Sequence, residues 1–462
     1  MKDTYSYWAQ DKNHFIHPYT DFSCFQETGS QIISKAKGMY VTDSEGKHYL
    51  DAIAGLWCVN VGHGRNRLAN VAAQQMMDMD YYNPFGHSSN EPAAELAAKL
   101  AELAPDNLNH VFYGCGGSVA NDTAIRIVHH YFNQLGLPAK KKLISRLDAY
   151  HGSTSLAATM TGIQGTKIAF DTLDNGLVHH VSAANMYRKP EHLSEAEYCD
   201  VLLNEFEQRI LQLGPENVAA FIAEPIMGAG GVLVAPVGYH QGIYAICKKY
   251  NMLFISDEVV TAFGRLGHMV ASHDQFGVKP DMLCLAKGLT SGYIPLGATL
   301  ISDEVYDTIA RPQVPGGLFT HGYTYSGHPV ACSVALENIR IMEEEQLCEH
   351  VLHVGPYFME SAQQLMQHEI VGDVRGDKLM VGIEFVTDRA SKASFPVEAK
   401  ITQRIFQKCL DKGVIVRPVG NVIVLSPPLI IEPEHIDQLF TALSNAIAEV
   451  AAEISNEKGG LA

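Results

Sequence analysis

The sequence predicts an α/β protein whose core is one mostly parallel sheet, with a smaller α+β part formed by the two ends of the chain. Two observations lead to this prediction. Short apolar runs alternate with helical patterns through the middle of the chain, whereas both flanks mix hairpins, long helices and short strands. Apolar strands separated by helices indicate a sheet that is covered by helices on both faces.

The predicted elements begin with a hairpin of two strands in residues 31–60, which turns at Ser44-Glu45-Gly46. A strand at His110 to Gly114 is followed by a glycine turn and a helix that is apolar on one face, with Ser118 as its N-cap and Gly136 at its end. The alternation then recurs, with strands at 141–147, 219–225, 252–259 and 281–288, a helix near 238–250, and late short strands at 379–386, 414–420 and 421–428.

These patterns divide the chain of 462 residues, which at roughly 100 to 200 residues per domain has room for two or three. We expect residues 76–328 to form the large α/β domain. Residues 1–75 and 329–462 are expected to form the N-terminal and C-terminal parts of one small domain.

The composition excludes several classes of partner. With 34 basic and 51 acidic side chains the formal charge is −17, which repels nucleic acid and anionic lipid. The first residues are polar and the sequence has no apolar run of about 18 residues, so we expect no export signal and no membrane partner. Nine cysteines without a C-x-x-C pair indicate reduced thiols and a cytoplasmic protein. The 21 histidines show no ligand spacing, so no metal site is predicted.

Ligands of open α/β sheets bind at the carboxyl ends of the strands, and three predicted strand ends carry chemically useful residues. The turn Cys115-Gly116-Gly117-Ser118 opens a helix, where small residues and the helix dipole favour phosphate. An ordinary glycine turn with a serine cap is the commoner interpretation of such a turn on its own.

The other two strand ends carry charge. Asp257 and Glu258 end one strand, so one of them must face inward, the alternative being a solvated loop acid. Lys287 ends another, where burial would lower the pKa of the amine and make it a nucleophile and base, although a lone lysine is more often on the surface. Together, a phosphate cradle, a carboxylate and a strand-end lysine are what a pyridoxal phosphate site requires.

These residues lie in motifs that resemble the class III pyridoxal-phosphate-dependent aminotransferases, and among them the ω-transaminases, which move an amino group from an amine or ω-amino acid to pyruvate. The resemblance extends from about Phe15 to Ala452. It implies fold type I, with a seven-stranded, mostly parallel sheet in the large domain. The motifs are AGLWCVNVGHGR (54–65), YHGST (150–154), AEPIMGAGGV (223–232), SDEVVTAFGRLG (256–267), LAKGLTSGYIPLGA (285–298), HGYTYSGHPVA (321–331) and RPVG (417–420).

The resemblance implies roles for the matching residues. Lys287 would carry the cofactor as a Schiff base, Asp257 would pair with the pyridine nitrogen, and Tyr150 would lie on the ring. The remaining cofactor contacts would be made by His151 beside Tyr150, Val259 on the opposite ring face, Glu224 near the ring hydroxyl or Tyr150, Gly117 and Ser118 at the phosphate, and Thr324 from the neighbouring subunit.

The implied substrates are a small amino donor and a 2-oxo acid acceptor. Arg417 is suited to the acceptor because its planar fork can hold a carboxylate bidentately and then swing aside for an amine that lacks one. Because some residues act across an interface, the resemblance also implies a homodimer or a dimer of dimers. The substrate residues would be Trp57, Tyr150, Ala229 and Arg417, with Tyr19 and Phe85 reaching in from the partner chain.

One motif departs from the family pattern. Relatives usually read N-S-G-S-E-A-N at the phosphate turn, where this chain has Gly116 in place of a hydroxyl and Val119 in place of an acid. Loss of the hydroxyl should weaken phosphate binding, and loss of the negative charge should partly offset that effect.

Other functions share parts of the pattern. A racemase, mutase or decarboxylase with the same cofactor would also need Lys287 and Asp257, whereas Trp57, Arg417 and the C-terminal motifs favour transamination. A non-catalytic α/β binding protein would need no strand-end lysine. A nicotinamide dehydrogenase would need a G-x-G-x-x-G turn between a strand and a helix, and this sequence has none in that context. The amine stays open among putrescine, β-alanine, taurine and an aromatic amine.

Overall fold

The computed structural model describes residues 4–173 and 176–459. Its strands are β1 (Ile33–Lys37), β2 (Tyr40–Asp43), β3 (His48–Asp51), β4 (His110–Gly114), β5 (Lys142–Arg146), β6 (Val178–Val181), β7 (Val218–Ala223), β8 (Ile226–Met227), β9 (Leu233–Val234), β10 (Leu253–Asp257), β11 (Met282–Leu285), β12 (Gly297–Ile301), β13 (Val371–Asp377), β14 (Met380–Asp388), β15 (Ala393–Ser394), β16 (Val414–Ile415), β17 (Arg417–Val419) and β18 (Val422–Leu425).

The α-helices are α1 (Thr4–His14), α2 (Phe22–Thr28), α3 (Ala54–Trp57), α4 (Asn66–Asp78), α5 (Glu91–Leu103), α6 (Gly117–Gln134), α7 (Ser155–Met160), α8 (Glu195–Leu213), α9 (Tyr239–Lys249), α10 (Ala271–Asp274), α11 (Asp303–Ala310), α12 (Pro329–Glu344), α13 (Leu347–Gln363), α14 (Ile401–Asp411) and α15 (Pro433–Gly459). Within the two described ranges, no helix is long and apolar enough to cross a membrane.

The central sheet has seven strands in the order β4-β12-β11-β10-β7-β5-β6, and β12 alone runs against its neighbours. The prediction of a mostly parallel sheet is therefore confirmed. Ile255 packs with α6 in one apolar cluster, whereas the adjacent Phe254 packs with α8 and α9 in another. Because successive side chains of a strand point to opposite faces, helices cover both faces of this sheet.

The two flanks of the chain meet in a second sheet, ordered β1-β2-β3-β16. β3 pairs in parallel with β16, with Leu50 opposite Val414. This pairing agrees with one small unit built from both ends, and the domain limits at residues 75 and 328 stay a prediction. The N-terminal flank contains three strands rather than the two predicted, because β1 adds to the hairpin of β2 and β3.

The glycine turn after β4 differs from the prediction in one detail. Helix α6 begins at Gly117 with Gly116 as its N-cap, so Ser118 lies in the first turn and does not cap the helix. Its Oγ instead accepts a hydrogen bond from the N–H of Ser153, 3.1 Å away. The turn is thereby joined to the loop after β5, at the sheet edge where the carboxyl ends of the parallel strands meet.

Candidate active site

The carboxylate of Asp257, at the end of β10, is 4% exposed and lies at the centre of the candidate site. Its Oδ2 accepts hydrogen bonds from Nδ1 of His151 and from Nδ2 of Asn121, each 2.7 Å away. Among the described residues, the N–H of Val259 is the one donor to its Oδ1, at 3.2 Å. Oδ2 thus already accepts two short hydrogen bonds from the chain, whereas Oδ1 can still accept a strong one.

Lys287 follows β11 by two residues and begins a single 3₁₀ turn. Its φ of +46° lies in the left-handed region, a strained conformation for a residue with a side chain. Burial lowers the pKa of its amine, and the nearby carboxylates of Asp257 and Glu224 partly oppose that shift. A larger fraction of the amine is therefore neutral and nucleophilic than in a solvated lysine.

Glu224 follows β7 and links two loops of the site. Its Oε1 accepts the backbone N–H of Tyr150 at 3.0 Å, and its Oε2 accepts the N–H of Gly228 at 2.9 Å. Burial raises the pKa of this carboxyl. Glu224 was expected near the ring hydroxyl or Tyr150, and the structure shows that it contacts the backbone of Tyr150 and thereby fixes the loop that carries this side chain.

The turn at the start of α6 packs closely on the segment that follows β10. A Cβ on Gly117 would lie 2.8 Å from Cγ1 of Val259, so only glycine fits there. A Cβ on Gly152 would clash with Ser118, whereas a Cβ on Gly116 would meet open space. The backbone N–H groups in the first turn of a helix have no partner within the helix, so this turn can bind an anion directly beside Val259.

Tyr150 and Tyr19 meet at the mouth of the site. The hydroxyl of Tyr19 donates to that of Tyr150 at 3.3 Å, and Tyr150 also contacts Oγ of Ser153 at 3.1 Å. Burial, with a smaller contribution from Tyr19, raises the pKa of Tyr150 to about 12. The expectation that Tyr19 reaches in from a partner chain is therefore corrected, because the segment between α1 and α2 brings it to Tyr150 of the same chain.

Trp57 lies against the β8–β9 turn that contains Ala229. Trp57 has a φ of +63° and is held in a tight loop, in which Oδ2 of Asp51 accepts the N–H of Gly55 at 2.7 Å. A Cβ on Gly228, next to Ala229, would lie 3.6 Å from the indole ring. The structure therefore brings the loop of Trp57 and the β8–β9 turn together, and the substrate roles of Trp57 and Ala229 stay a prediction.

Arg417, the first residue of β17, is half-buried near Tyr150 and Tyr19. Burial lowers the pKa of its guanidinium, and the two tyrosines partly oppose this shift. Among the residues that the structure describes, no carboxylate forms an ion pair with it. An arginine that is partly desolvated and lacks an internal counter-charge is suited to bind the carboxylate of a ligand.

Phe85 and Thr324 lie on the surface of the chain. The ring of Phe85 packs against Gly322, since a Cβ there would lie 2.8 Å from Cζ, and the carbonyl oxygen of Thr324 accepts the hydroxyl of Tyr81 at 2.6 Å. Their described contacts thus join residues 81–85 to residues 322–324, and none of these contacts is with Lys287 or Ser118. A role in the site for either residue would require a second chain.

One buried residue of the site, Asn121, was missed by the sequence reasoning, and Glu258 was predicted only in part. Asn121 lies one helical turn after Gly117 on α6, and this spacing could have indicated that it faces the site. Glu258 was expected either to face inward or to be a solvated loop acid, and the structure shows that it is fully buried together with Asp257. Glu258 accepts the N–H groups of Ala271 and Ser272, at 2.8 and 2.7 Å, and so fixes the start of α10.

These features fit one cofactor. A buried lysine at the carboxyl edge of a parallel sheet, a carboxylate with one oxygen still able to accept, and an anion-binding turn packed on Val259 match the aldehyde, ring nitrogen and phosphate of pyridoxal phosphate. The fold and this set of residues define a pyridoxal-phosphate-dependent enzyme of fold type I.

Comparisons with known proteins extend this conclusion. The family model described as aminotransferase class-III matches residues 25–447. The putrescine–pyruvate aminotransferase of Pseudomonas aeruginosa is 42% identical over 452 residues, which are 98% of either chain. The mitochondrial gamma-aminobutyrate transaminase 1 of Oryza sativa subsp. indica is 40% identical over 92% of this chain and 83% of its own.

Solved structures of similar proteins indicate the same family. The (S)-enantioselective omega-transaminase of Thermomicrobium roseum has a TM-score of 0.95 at 40% identity, covering 97% of this chain and 99% of the other. The omega-transaminase of Pseudomonas jessenii, solved in complex with PMP, has a TM-score of 0.94 at 40% identity and the same coverage. The chain therefore belongs to the class III aminotransferases, which use pyridoxal phosphate.

Proposed function

We propose that the protein transfers the amino group of an amine or ω-amino acid to pyruvate or a related 2-oxo acid. The observation that carries this proposal is Arg417, a half-buried guanidinium without a carboxylate partner among the described residues, beside Tyr150 in the site that contains Lys287. The names of the similar proteins support it, since one is a putrescine–pyruvate aminotransferase and another an omega-transaminase.

Pyridoxal phosphate, when bound, supplies a reactive carbonyl and a ring that withdraws electrons. The amine of Lys287, whose pKa burial lowers, binds the cofactor and moves a proton to and from the carbon that bears the amino group. Oδ1 of Asp257, with its spare capacity to accept, holds a proton at the ring nitrogen. In sum, an amine and a 2-oxo acid become a carbonyl compound and an amino acid.

The remaining residues of the site orient the cofactor and exclude water. We assign the phosphate to Gly117, Ser118 and the first turn of α6, with Thr324 of a second copy completing the contact. Val259, which lies against this turn, would cover one face of the ring, and Tyr150 would cover the other. His151 acts through Asp257, and Glu224 acts by fixing the backbone of Tyr150.

The proposal is tested by incubating the holoenzyme with pyruvate and one donor at a time, and measuring alanine. The donors are putrescine, β-alanine, taurine and an aromatic amine. We expect alanine to form with at least one of them and to require pyruvate. No alanine with any of these donors, or turnover of an amino acid without a 2-oxo acid, would favour a racemase or decarboxylase instead.

We expect Arg417→Ala to affect the two half-reactions unequally. Binding of pyruvate and alanine should weaken, with a KM roughly tenfold to a hundredfold higher, because a charge-assisted hydrogen bond is lost. The half-reaction with an amine that lacks a carboxylate, followed through the absorption of the bound cofactor, should change little. The experiment measures the difference between the effects of the substitution on the two half-reactions.

Arg340→Ala, which removes an exposed arginine of α12, is the matched control and should leave both half-reactions unchanged. Equal losses in both half-reactions would make Arg417 structural. An unchanged KM for pyruvate would mean that another cation holds the keto acid.

We further propose that the chain forms a homodimer or a dimer of dimers. Residues 76–85 and 318–325 contact each other and expose large apolar side chains, a composition typical of interfaces. Sedimentation should give a mass of at least twice 50.6 kDa, and a fully active monomer would contradict the proposal. The exposed side chains are Met76, Met77, Tyr82, Phe85, Leu318, Phe319 and Tyr325.

A further inference from the structure

We infer that Asn121 is a positioning residue for Asp257, and that its amide determines which carboxylate oxygen faces the ring nitrogen of the cofactor. The inference rests on the proposed role of Asp257. It concerns a side chain that contacts Asp257 and the backbone of His151, and that acts through Asp257.

The orientation of the Asn121 amide follows from its surroundings. Asn121 is 1% exposed, and its Nδ2 lies 2.7 Å from Oδ2 of Asp257 and 2.7 Å from the backbone oxygen of His151. Both neighbours are acceptors, so the amide must present its NH₂ group to them. Its own Oδ1 is buried and has no hydrogen-bond partner in the described part of the chain.

That buried, unpaired oxygen has an energetic cost, since an unsatisfied polar atom destabilises the fold. The asparagine at this position therefore lowers stability through its Oδ1. The benefit lies in its two N–H bonds, which join α6 to the end of β10 and to the loop after β5.

The two carboxylate oxygens of Asp257 therefore accept different numbers of hydrogen bonds. Oδ2 receives two side-chain N–H groups at 2.7 Å, and Oδ1 receives one backbone N–H at 3.2 Å. Rotation of the carboxylate would break both short bonds at once. Asn121 and His151 together thus hold Oδ1 as the oxygen that faces the ring.

The second donor to Asp257, His151, is itself held in place. Nε2 of His151 contacts Oγ of Ser145 at 3.1 Å, so both ring nitrogens are engaged and Nδ1 stays directed at Oδ2 of Asp257. Hydrogen bonds from neutral N–H groups favour the ionised carboxylate without cancelling its charge. Asn121 supplies one of these bonds, so its loss should make the proton at the ring nitrogen less strongly held.

The experiment compares Asn121→Ala with the wild type and with two reference variants. Each holoenzyme is reconstituted with pyridoxal phosphate labelled with ¹⁵N in the ring, and the nitrogen resonance is recorded together with kcat and KM. Asp257→Asn shows how the resonance, kcat and KM change when the carboxylate is lost completely. Asn107→Ala is the matched control, because Asn107 also has a buried Oδ1 without a hydrogen-bond partner among the described residues. Asn107 precedes the amino end of β4, away from the site, and its Nδ2 donates to the carbonyl oxygen of Pro280 at 3.0 Å.

We expect the resonance in Asn121→Ala to move from the protonated toward the unprotonated position, with kcat roughly tenfold to a hundredfold lower and KM little changed. Asn107→Ala should match the wild type. If alanine prevents folding, Asn121→Ser is used, since its hydroxyl is too short to replace the amide.

The other possible results distinguish failure of the inference about Asn121 from failure of the role proposed for Asp257. An unchanged resonance in Asn121→Ala, with a shifted one in Asp257→Asn, overturns this inference and leaves the proposed function standing. Unchanged resonances in both variants overturn the role proposed for Asp257. An equal shift in Asn107→Ala shows a general loss of structure and also overturns the inference.

Discussion

Lys287→Ala should abolish transamination and the visible absorption of the attached cofactor, the largest effect that we expect from any single substitution. Among the described residues at this strand end, Lys287 supplies the only primary amine, the group that condenses with an aldehyde with loss of water. The measurements are an absorption spectrum of the reconstituted protein and alanine formation from pyruvate and an amine.

Lys140→Ala is the matched control, because Lys140 is also buried and its Nζ donates only to the carbonyl oxygens of Pro215 and Tyr250 among described residues. It should lower stability and keep the absorption. The lowered pKa of Lys287 adds a pH dependence: capture of pyridoxal phosphate by the apoprotein should speed up as pH rises and level off below about 10.4, the usual lysine value. An active Lys287→Ala variant with normal absorption would contradict the assignment.

Asp257→Asn should have the second largest effect. A neutral amide cannot hold a positive charge at the ring nitrogen, so electron withdrawal by the ring weakens at the step where the proton leaves carbon. We expect kcat to fall by a factor of about 100 or more, or at least about 2.7 kcal/mol. Single-turnover rates with an amine donor measure this step directly.

Asp281→Asn tests whether any buried aspartate would give the same result. Asp281 is as buried as Asp257 and accepts the N–H of Phe254 at 2.8 Å, near the amino end of β10. It should affect stability more than kcat. A loss in Asp257→Asn of less than about tenfold, about 1.4 kcal/mol, would assign the proton at the ring nitrogen to another residue.

The sequence predicted the central sheet because its strands are buried on both faces and therefore read as continuous apolar runs. The convergence of Gly117, Asp257 and Lys287 followed from that topology, since parallel strands end at one edge. β1 was missed as a strand because all five of its residues are exposed, so it carries no alternation of apolar and polar side chains.

The rest of the site depends on contacts that no local pattern encodes. The pairing of Asn121 with Asp257 joins residues on two elements that are far apart in the chain. Alternation predicted that one of Asp257 and Glu258 faces inward, but β10 ends at Asp257 and the backbone turns there, so both are buried. The placement of Tyr19 within its own chain depends on the path of the segment after α1.

The pairing of β3 with β16 has a consequence for biosynthesis. On the ribosome, the seven strands of the central sheet are all available once Ile301 has emerged, whereas the outer edge of β3 has no partner until Val414 and Ile415 are made. Unpaired strand edges attract other chains, and domains fold as they emerge, from the N-terminus onward. A polypeptide released early would therefore carry a complete central sheet beside an open, aggregation-prone edge, and only the finished chain closes it.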